Sequence, residues 1–293
     1  MLGIGNKTNL NAGINLNIIN DIKHAYRTAT VVEKIIYINV FLFLITVLFT
    51  KFIIQWFALP SNFDSFLNKP WTLITYAFIH KDIFHVLSNL LVLFYIGNLF
   101  LTFHTKKQFL NFYFLGGIFG AIIFLAYYYF IDNTGALPLA GASAAVTTIF
   151  IAIATKTPRY ALRLRFIGSV ELWVLAAFWV GLSILQLANP DKGSAIAHIS
   201  GAIFGFIYSK QLAQGNDIGK WFETILDFFT NVFKPKKKSP FKAVYKTKKR
   251  NTANEVSKTR QRKIDDILDK ISKSGYESLT QEEKNFLFRA GKK

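Results

Sequence analysis

The chain has 293 residues, of which 52% are hydrophobic and 16% aromatic, and its formal net charge is +18. It contains no cysteine, which excludes disulfide scaffolds, thiol nucleophiles and cysteine-ligated metal sites. An excess of Lys and Arg is typical both of nucleic-acid-binding proteins and of membrane proteins, which carry these residues in their cytoplasmic loops. The positions of the charges along the chain must therefore decide between the two classes.

The apolar residues come in blocks of about twenty, the length that a helix needs to cross a hydrocarbon core of roughly 30 Å. Residues 1–34 precede them, are polar and mixed, and predict a cytoplasmic N-terminal segment without a signal peptide. Residues 35–212 predict an all-α membrane domain with six transmembrane helices, the fourth of them short. The predicted spans are residues 35–57, 84–103, 109–131, 143–154, 167–188 and 194–212.

All but four of the 35 Lys and Arg residues fall on one side of this topology. They lie in residues 1–34, the turn at 104–107, the loop at 155–166 and the tail from Lys210 onward. The opposite side holds only Lys51, Lys69, Lys81 and Lys192. Because Lys and Arg are enriched in cytoplasmic loops, this bias places both termini in the cytoplasm. With no targeting segment, we expect a multi-pass protein of a bacterial inner membrane.

Residues 213–263 predict an amphipathic and basic linker. Within it, residues 218–233 fit either a helix on the membrane surface or an extension of the bundle. Residues 234–250 carry nine Lys and Arg residues, which suit either a solvated linker or contact with anionic lipids. With only Phe241 and Tyr245 as aromatics, the run matches no nucleic-acid module, so no nucleic-acid partner is predicted.

Residues 264–293 predict a small helical hairpin at the end of the cytoplasmic tail. Gly275 allows a break, and Thr280 with Glu283 has the spacing of a capping box. So short a unit has little core of its own, and its function is not readable from the sequence.

Three polar clusters lie near the outer ends of three different spans. They are His80, His85 and Asn89; Gly141 and Ser143; and His198, Gly201 and Gly205. A lone intramembrane Ser or His is more often a packing partner than a catalyst. Polar groups at membrane depth are costly, however, and the coincidence of three clusters in one leaflet favours a functional site.

The lengths of the fourth and sixth spans place Ser143 and His198 at a similar depth in the membrane. The fourth span, of about 18 Å, is some 10 Å too short for a full crossing, so it must begin below the outer surface. Its irregular lead-in, residues 132–142, is tolerable only in a wet cavity or buried in protein. His198 lies about 6 Å into the sixth span. Gly201 and Gly205 let the two helices approach closely enough for a Ser–His hydrogen bond.

Acyl transfer also needs donors for an oxyanion. The backbone N–H of Ser143 is one candidate, and the side chains of His85 and Asn89, one helical turn apart, are two more. The outer carboxylates all fall in loops, which favours a Ser–His dyad over a triad. These carboxylates are Asp64, Asp82, Asp132 and Asp191.

At these positions the chain resembles the rhomboid family of intramembrane serine proteases, over residues 36–212. The matching motifs are His80-x4-His85-x3-Asn89, Gly141-x-Ser143 and Ala197-His198-x2-Gly201-x3-Gly205. The resemblance implies a Ser–His dyad, and an oxyanion site of His85, Asn89 and the Ser143 amide. It also implies water entry from outside and a lateral gate at the fifth span. We therefore predict membrane-protein substrates and a rhomboid-like bundle, and no cofactor or metal.

The chain differs from the family pattern at three positions, which surround the site and do not carry its reacting groups. Ala144 replaces the usual Gly after the serine, and Thr72 replaces the Arg that usually follows the Trp at position 71. Thr147 stands where many members carry a Tyr that stacks on the catalytic His, so the orientation of His198 must come from elsewhere.

Two other functions compete with the protease. A catalytically inactive rhomboid-like protein that binds membrane clients would be expected to have lost a dyad residue, and both are intact. A metal-dependent membrane enzyme would use His80, His85 and His198, but it lacks an intramembrane carboxylate and a His-Glu-x-x-His helix.

Overall fold

The computed structural model describes residues 20–132, 137–164, 168–189, 191–232 and 251–291, and these are mostly helical. The chain divides into two compact units, Met1–Phe233 and Lys234–Lys293. The helices of the first unit are α1 (20–28), α2 (Val31–Leu48), α3 (Thr50–Phe57), α4 (Phe63–Leu67), α5 (Thr72–Thr75), α6 (Ile83–Phe103), α7 (Lys106–Phe130), α8 (Ser143–Lys156), α9 (Leu172–Gln186), α10 (Gly193–Ala213) and α11 (Lys220–Val232). A hairpin of β1 (Ala161–Leu164) and β2 (Gly168–Glu171) precedes α9.

Two of the long helices begin at reciprocal caps. The Thr30 amide donates to Glu33 Oε2 at 2.6 Å, and the Glu33 amide donates back to Thr30 Oγ1 at 3.2 Å. Thr105 and Gln108 repeat this arrangement at the start of α7. Such boxes satisfy amides that have no intrahelical acceptor, and they fix where α2 and α7 enter the bundle.

Helix α8 forms the centre of the first unit. Eleven of its 14 residues are buried, and it packs against α6, α7, α9 and α10. At 1.5 Å per residue it is about 21 Å long. It begins at Ser143, as predicted, and ends slightly later than predicted, at Lys156. A helix that is apolar on every side is stable only when other helices enclose it, as they enclose α8.

Three helices of the described segments are long and apolar enough to cross a membrane, namely α2, α6 and α7. Helices α8 and α9 are apolar but shorter. Helix α10 has 21 residues, but its Ser, His and Lys residues lower its mean hydropathy. Length and composition therefore single out three of the six predicted spans.

The first and fifth predicted spans differ from the observed helices. The first is broken at Phe49, whose backbone (φ −128°, ψ 42°) leaves the helical region between α2 and α3. The fifth does not start at residue 167, because residues 168–171 pair with β1 and α9 begins only at Leu172. The start at 167 was wrong because pairing with β1 holds residues 168–171 in a strand, and such pairing cannot be read from the hydrophobicity of the segment. Residues 165–167 themselves lie outside the described residues.

The second unit contains α12 (Asn251–Ser274) and α13 (Gln281–Gly291), so its helical part begins before the predicted residue 264. Gly275 between them has φ +76°, a conformation that favours glycine. The predicted capping box is confirmed, since Thr280 N donates to Glu283 Oε2 at 2.8 Å and Glu283 N to Thr280 Oγ1 at 3.3 Å. A hydrogen bond from Lys270 lowers the pKa of Glu283. The predicted basic run at 234–250 and residues 1–19 lie outside the described residues.

Candidate active site

A cavity of about 310 Å³ brings together four of the residues singled out from the sequence. His85 and Asn89 reach it from α6, Ser143 from α8 and His198 from α10. Helix α9 closes another side. The remaining lining residues are Ser88, Trp179, Leu182, Ser183, Gln186 and Ser194. Residues from the three predicted clusters, which stretch from position 85 to position 198 of the chain, thus line one cavity.

The turn before Ser143 depends on Gly141. This glycine has φ +132°, which L side chains rarely adopt. A Cβ on it would lie 2.6 Å from Cε1 of His85, so no larger residue fits without moving that ring. Gly141 therefore both permits the sharp turn into α8 and brings the His85 ring next to the serine.

The last four residues before α8, 139–142, are buried in protein, which is one of the two environments that the sequence left open for the lead-in. Leu139 exchanges backbone hydrogen bonds with Leu59 at 2.8 and 2.9 Å, and Gly141 N donates to Tyr76 O at 2.9 Å. Ala142 N donates to Nε2 of the fully buried His80 at 3.3 Å. His80 thus lies behind the cavity and supports the turn. Residues 133–136 of the predicted lead-in lie outside the described residues.

Ser143 and His198 line the same cavity, but the predicted hydrogen bond between them is not made. Nε2 of His198 is buried and has no hydrogen-bond partner within the part of the chain that the structure describes. The other ring nitrogen, Nδ1, lies 3.4 Å from Ser183 Oγ. Catalytic hydrogen bonds are often long in ligand-free sites and shorten only when substrate binds.

Helices α8 and α10 meet backbone to backbone below the cavity. A Cβ at Gly201 would collide with the carbonyl oxygen of Ala144, and one at Gly205 with that of Thr148. Thr148 Oγ1 lies 2.9 Å from Ala144 O on its own helix and 2.9 Å from Gly201 O on α10. Its hydroxyl can therefore form a hydrogen bond between the two helices. Gly201 and Gly205 do not line the cavity; they set the distance between the helix that carries Ser143 and the helix that carries His198.

The two candidate oxyanion side chains lie one turn apart on α6. Asn89 Nδ2 donates to His85 O at 2.8 Å, which uses one of its two N–H groups. The first amides of α8 have no acceptor within their own helix and carry the positive end of its dipole. Ser143 N, His85 and Asn89 can therefore supply donors from two sides of one space.

A loop anchor next to the site was missed by the sequence interpretation. Three side chains from residues 69–75 donate to the last three carbonyls of α3: Lys69 Nζ to Gln55 O, Trp71 Nε1 to Trp56 O and Thr75 Oγ1 to Phe57 O, each at 2.8 Å. These are carbonyls that a helix end leaves unsatisfied. The sequence analysis noted Trp71 only as part of a family pattern, and Lys69 and Trp71 follow the predicted helix end at residue 57 by 12 and 14 positions, so their spacing gave no signal for these contacts.

Thr72 and Thr147, which replace the usual Arg and Tyr of the family pattern, each form a hydrogen bond near the site. Thr72 is fully buried and its hydroxyl donates to Lys69 O at 2.7 Å, within the loop itself. Thr147 Oγ1 accepts a hydrogen bond from Trp179 Nε1 at 2.9 Å, which joins α8 to α9. Nothing in the structure distinguishes Ala144 from a glycine except that its side chain is buried among small neighbours.

One comparison with protein-family models identifies the family. A model of the Rhomboid domain matches residues 67–215, about half of the chain. The match contains all the cavity-lining residues, on helices packed around the short central α8. The chain therefore belongs to the rhomboid family. A second model, for a family of unknown function (DUF6576), matches residues 249–293.

Two curated proteins resemble the chain over 168 residues each. "RHOMBOID-like protein 12, mitochondrial" from Arabidopsis thaliana is 29% identical, covering 53% of this chain and 49% of its own length. "Presenilin-associated rhomboid-like protein A, mitochondrial" from Danio rerio is 28% identical, covering 54% of this chain and 41% of its own. The chain thus spans half or less of these relatives. Both are mitochondrial by name, so they do not support the expected bacterial inner membrane.

Among the described residues, no group of three or more His, Cys, Asp or Glu side chains is arranged to hold a metal ion. His80 and His85 are neighbours, with ring centroids 5.2 Å apart, but His80 Nε2 accepts the Ala142 amide.

Proposed function

We propose that this chain is an intramembrane serine endopeptidase that cleaves peptide bonds in or next to the transmembrane helices of membrane-protein substrates. The observation that carries the proposal is the single cavity lined by Ser143, His198, His85 and Asn89. It combines a nucleophile, a base and oxyanion donors, which are the groups that acyl transfer requires.

In this mechanism, Ser143 Oγ attacks the carbonyl carbon of the scissile bond while its proton passes to His198 Nε2. The Ser143 amide, His85 and Asn89 stabilise the resulting oxyanion. His198 then gives the proton to the leaving amine, and an acyl ester on Ser143 remains. Water attacks that ester and gives its proton to His198, which returns it to Ser143 Oγ as the acid product leaves.

We assign six crossings to α2, α6, α7, α8, α9 and α10. The positions of Lys and Arg support this count, because six crossings put nearly all of them on one side. Helix α8, at about 21 Å, is shorter than the hydrocarbon core. Enclosure by the other helices removes the need for it to match the lipid thickness, and its N-terminus with Ser143 then lies below the outer surface.

A second, apolar cavity of about 460 Å³ supports the substrate class. It lies between α6 and α9, and Phe150 of α8 and Leu162 and Arg163 of β1 also border it. Its other lining residues are mainly large and apolar: Leu91, Val92, Tyr95, Ile96, Leu175, Phe178 and Trp179. Trp179 also lines the cavity that contains Ser143. A membrane-spanning substrate helix entering between α6 and α9 would find an apolar surface that leads to the serine.

A serine-directed fluorophosphonate tests the proposal directly. We expect the purified protein in liposomes to become labelled on Ser143, since such probes react only with serines that a neighbouring base activates. The measurement is the labelled peptide identified by mass spectrometry. Labelling should be lost in Ser143→Ala and kept in Ser200→Ala, whose buried hydroxyl bonds its own helix at Ile196 O.

The competing functions give different results in the same experiment. An inactive rhomboid-like protein would show no labelling of Ser143 under conditions that preserve the fold. A metal enzyme would lose activity with chelators and be insensitive to the phosphonate. Either result would contradict the dyad.

For the lipid partner, we propose that α11 lies in the cytoplasmic membrane interface. Glu223 and Asp227 on one side of α11 pair with Lys107 at the start of α7, at 3.5 and 2.8 Å. The opposite side presents the exposed Trp221 and Ile225. An amphipathic helix next to a basic segment, here the run at 234–250, is typical of binding to anionic lipid surfaces.

Because the chain has no cysteine, single spin labels can test this placement. A label at Ile225→Cys is expected to collide more with oxygen than with a water-soluble nickel chelate in phosphatidylglycerol vesicles, since the apolar side would lie among acyl chains. Lys220→Cys, exposed on the polar side, is the matched control and should show the reverse. Equal nickel accessibility at both positions would contradict an interfacial α11.

A further inference from the structure

We propose that Ser183 on α9 is a positioning residue for His198, setting which ring nitrogen carries the proton. The inference rests on the proposed function and adds a residue to it that no family motif contains. It starts from the 3.4 Å contact between Ser183 Oγ and Nδ1 of His198.

The Ser183 hydroxyl has a backbone acceptor on its own helix. Ser183 Oγ donates to the backbone oxygen of Trp179, one turn earlier on α9, at 3.1 Å. Its lone pairs are then what it offers to His198. In that arrangement Nδ1 carries the hydrogen and donates to Ser183 Oγ, since two acceptors facing each other would repel.

This tautomer is the one that the chemistry needs. In a neutral imidazole only one nitrogen carries hydrogen, so a protonated Nδ1 leaves Nε2 with a free lone pair. Nε2 is the nitrogen without a partner among the described residues. Ser183 thereby leaves His198 able to accept the proton of Ser143. The opposite tautomer would direct an N–H at the serine and could not act as its base.

Helix α9 holds Ser183 in this position through Trp179. The indole Nε1 of Trp179 donates to Thr147 Oγ1 on α8 at 2.9 Å. The same residue's carbonyl receives the Ser183 hydroxyl. Position 147 is where many family members carry a Tyr that stacks on the catalytic His. Here a series of hydrogen bonds from Thr147 through Trp179 and Ser183 orients the His198 ring instead, from α9. Ser183 is buried, at 3% exposure, and a hydrogen bond is stronger where bulk solvent is largely excluded.

The test combines kinetics with a spectroscopic measurement. In liposomes, Ser183→Ala is expected to lower kcat for a single-span substrate about tenfold, the usual scale for losing one buried hydrogen bond, with KM unchanged. Ser183→Thr keeps a hydroxyl and should restore most of the rate. Ser200→Ala, which removes a buried hydroxyl that bonds its own helix at Ile196 O, is the matched control and should be unaffected.

Nitrogen-15 NMR of the labelled imidazole reads the tautomer without needing activity. The parent should show His198 protonated at Nδ1, and Ser183→Ala should shift the population toward Nε2–H. An unchanged tautomer together with unchanged kcat in Ser183→Ala would overturn the inference, as would Nε2–H in the parent. Failure of the proposed function looks different: Ser143→Ala would then cleave as well as the parent, whatever the tautomer.

Discussion

Replacing His198 with alanine is expected to lower the rate of substrate cleavage by about a thousandfold or more. Without Nε2 there is no base to take the proton of Ser143 Oγ, and no acid to protonate the leaving amine. Folding should change little, because the ring borders the cavity and, within the described segments, its one polar side-chain contact is with Ser183. The measurement is cleavage of a single-span substrate containing helix-breaking residues, reconstituted with the purified protein in liposomes.

The double variant Ser143→Ala, His198→Ala gives this prediction its sharpest control. Residues that act as one unit are non-additive, so the double variant should lose no more activity than either single variant. Ser200→Ala, two residues from His198 on the same helix, should retain the parent rate. A His198→Ala enzyme that cleaves normally, or single losses that multiply in the double variant, would contradict the dyad.

Replacing Gly201 with valine is expected to destabilise the protein by about 2 kcal/mol or more and to abolish cleavage. Even a Cβ at this position meets the carbonyl oxygen of Ala144, and main chain cannot move aside as the end of a side chain can. Helices α8 and α10 would have to separate, and with them Ser143 and His198. The free energy of unfolding in mixed micelles and the cleavage rate measure the two effects.

Gly181→Ala is the matched control for the glycine prediction. Gly181 also lies within a helix, α9, but a Cβ there has nothing within 4 Å. Alanine is the better helix former by up to about 1 kcal/mol, so this variant should be as stable as the parent or slightly more stable. If Gly201→Val were as well tolerated as Gly181→Ala, the close contact of α8 and α10 would not be what aligns the site.

The residues of the candidate site could be predicted because they are local patterns. His80-x4-His85-x3-Asn89 needs one loop and one helix, and Ser143 opens a helix whose shortness can be counted along the sequence. The family comparison confirmed the class to which these motifs belong. The start of α9 was not predictable in the same way, since residues 168–171 form a strand only because β1 pairs with them.

By itself, the sequence determined the order of the apolar helices, the grouping of most Lys and Arg residues in a few segments outside them, and the polar residue types of the candidate site. These depend on composition and spacing along one segment. The tertiary structure decided which distant residues touch: the loop at 58–80 that holds the turn before Ser143, the main-chain contact below Gly201, and the approach of Ser183 to His198. Such contacts depend on how helices rotate and cross, and a hydrophobic pattern fixes the apolar face of a helix without fixing the neighbour against which that face packs.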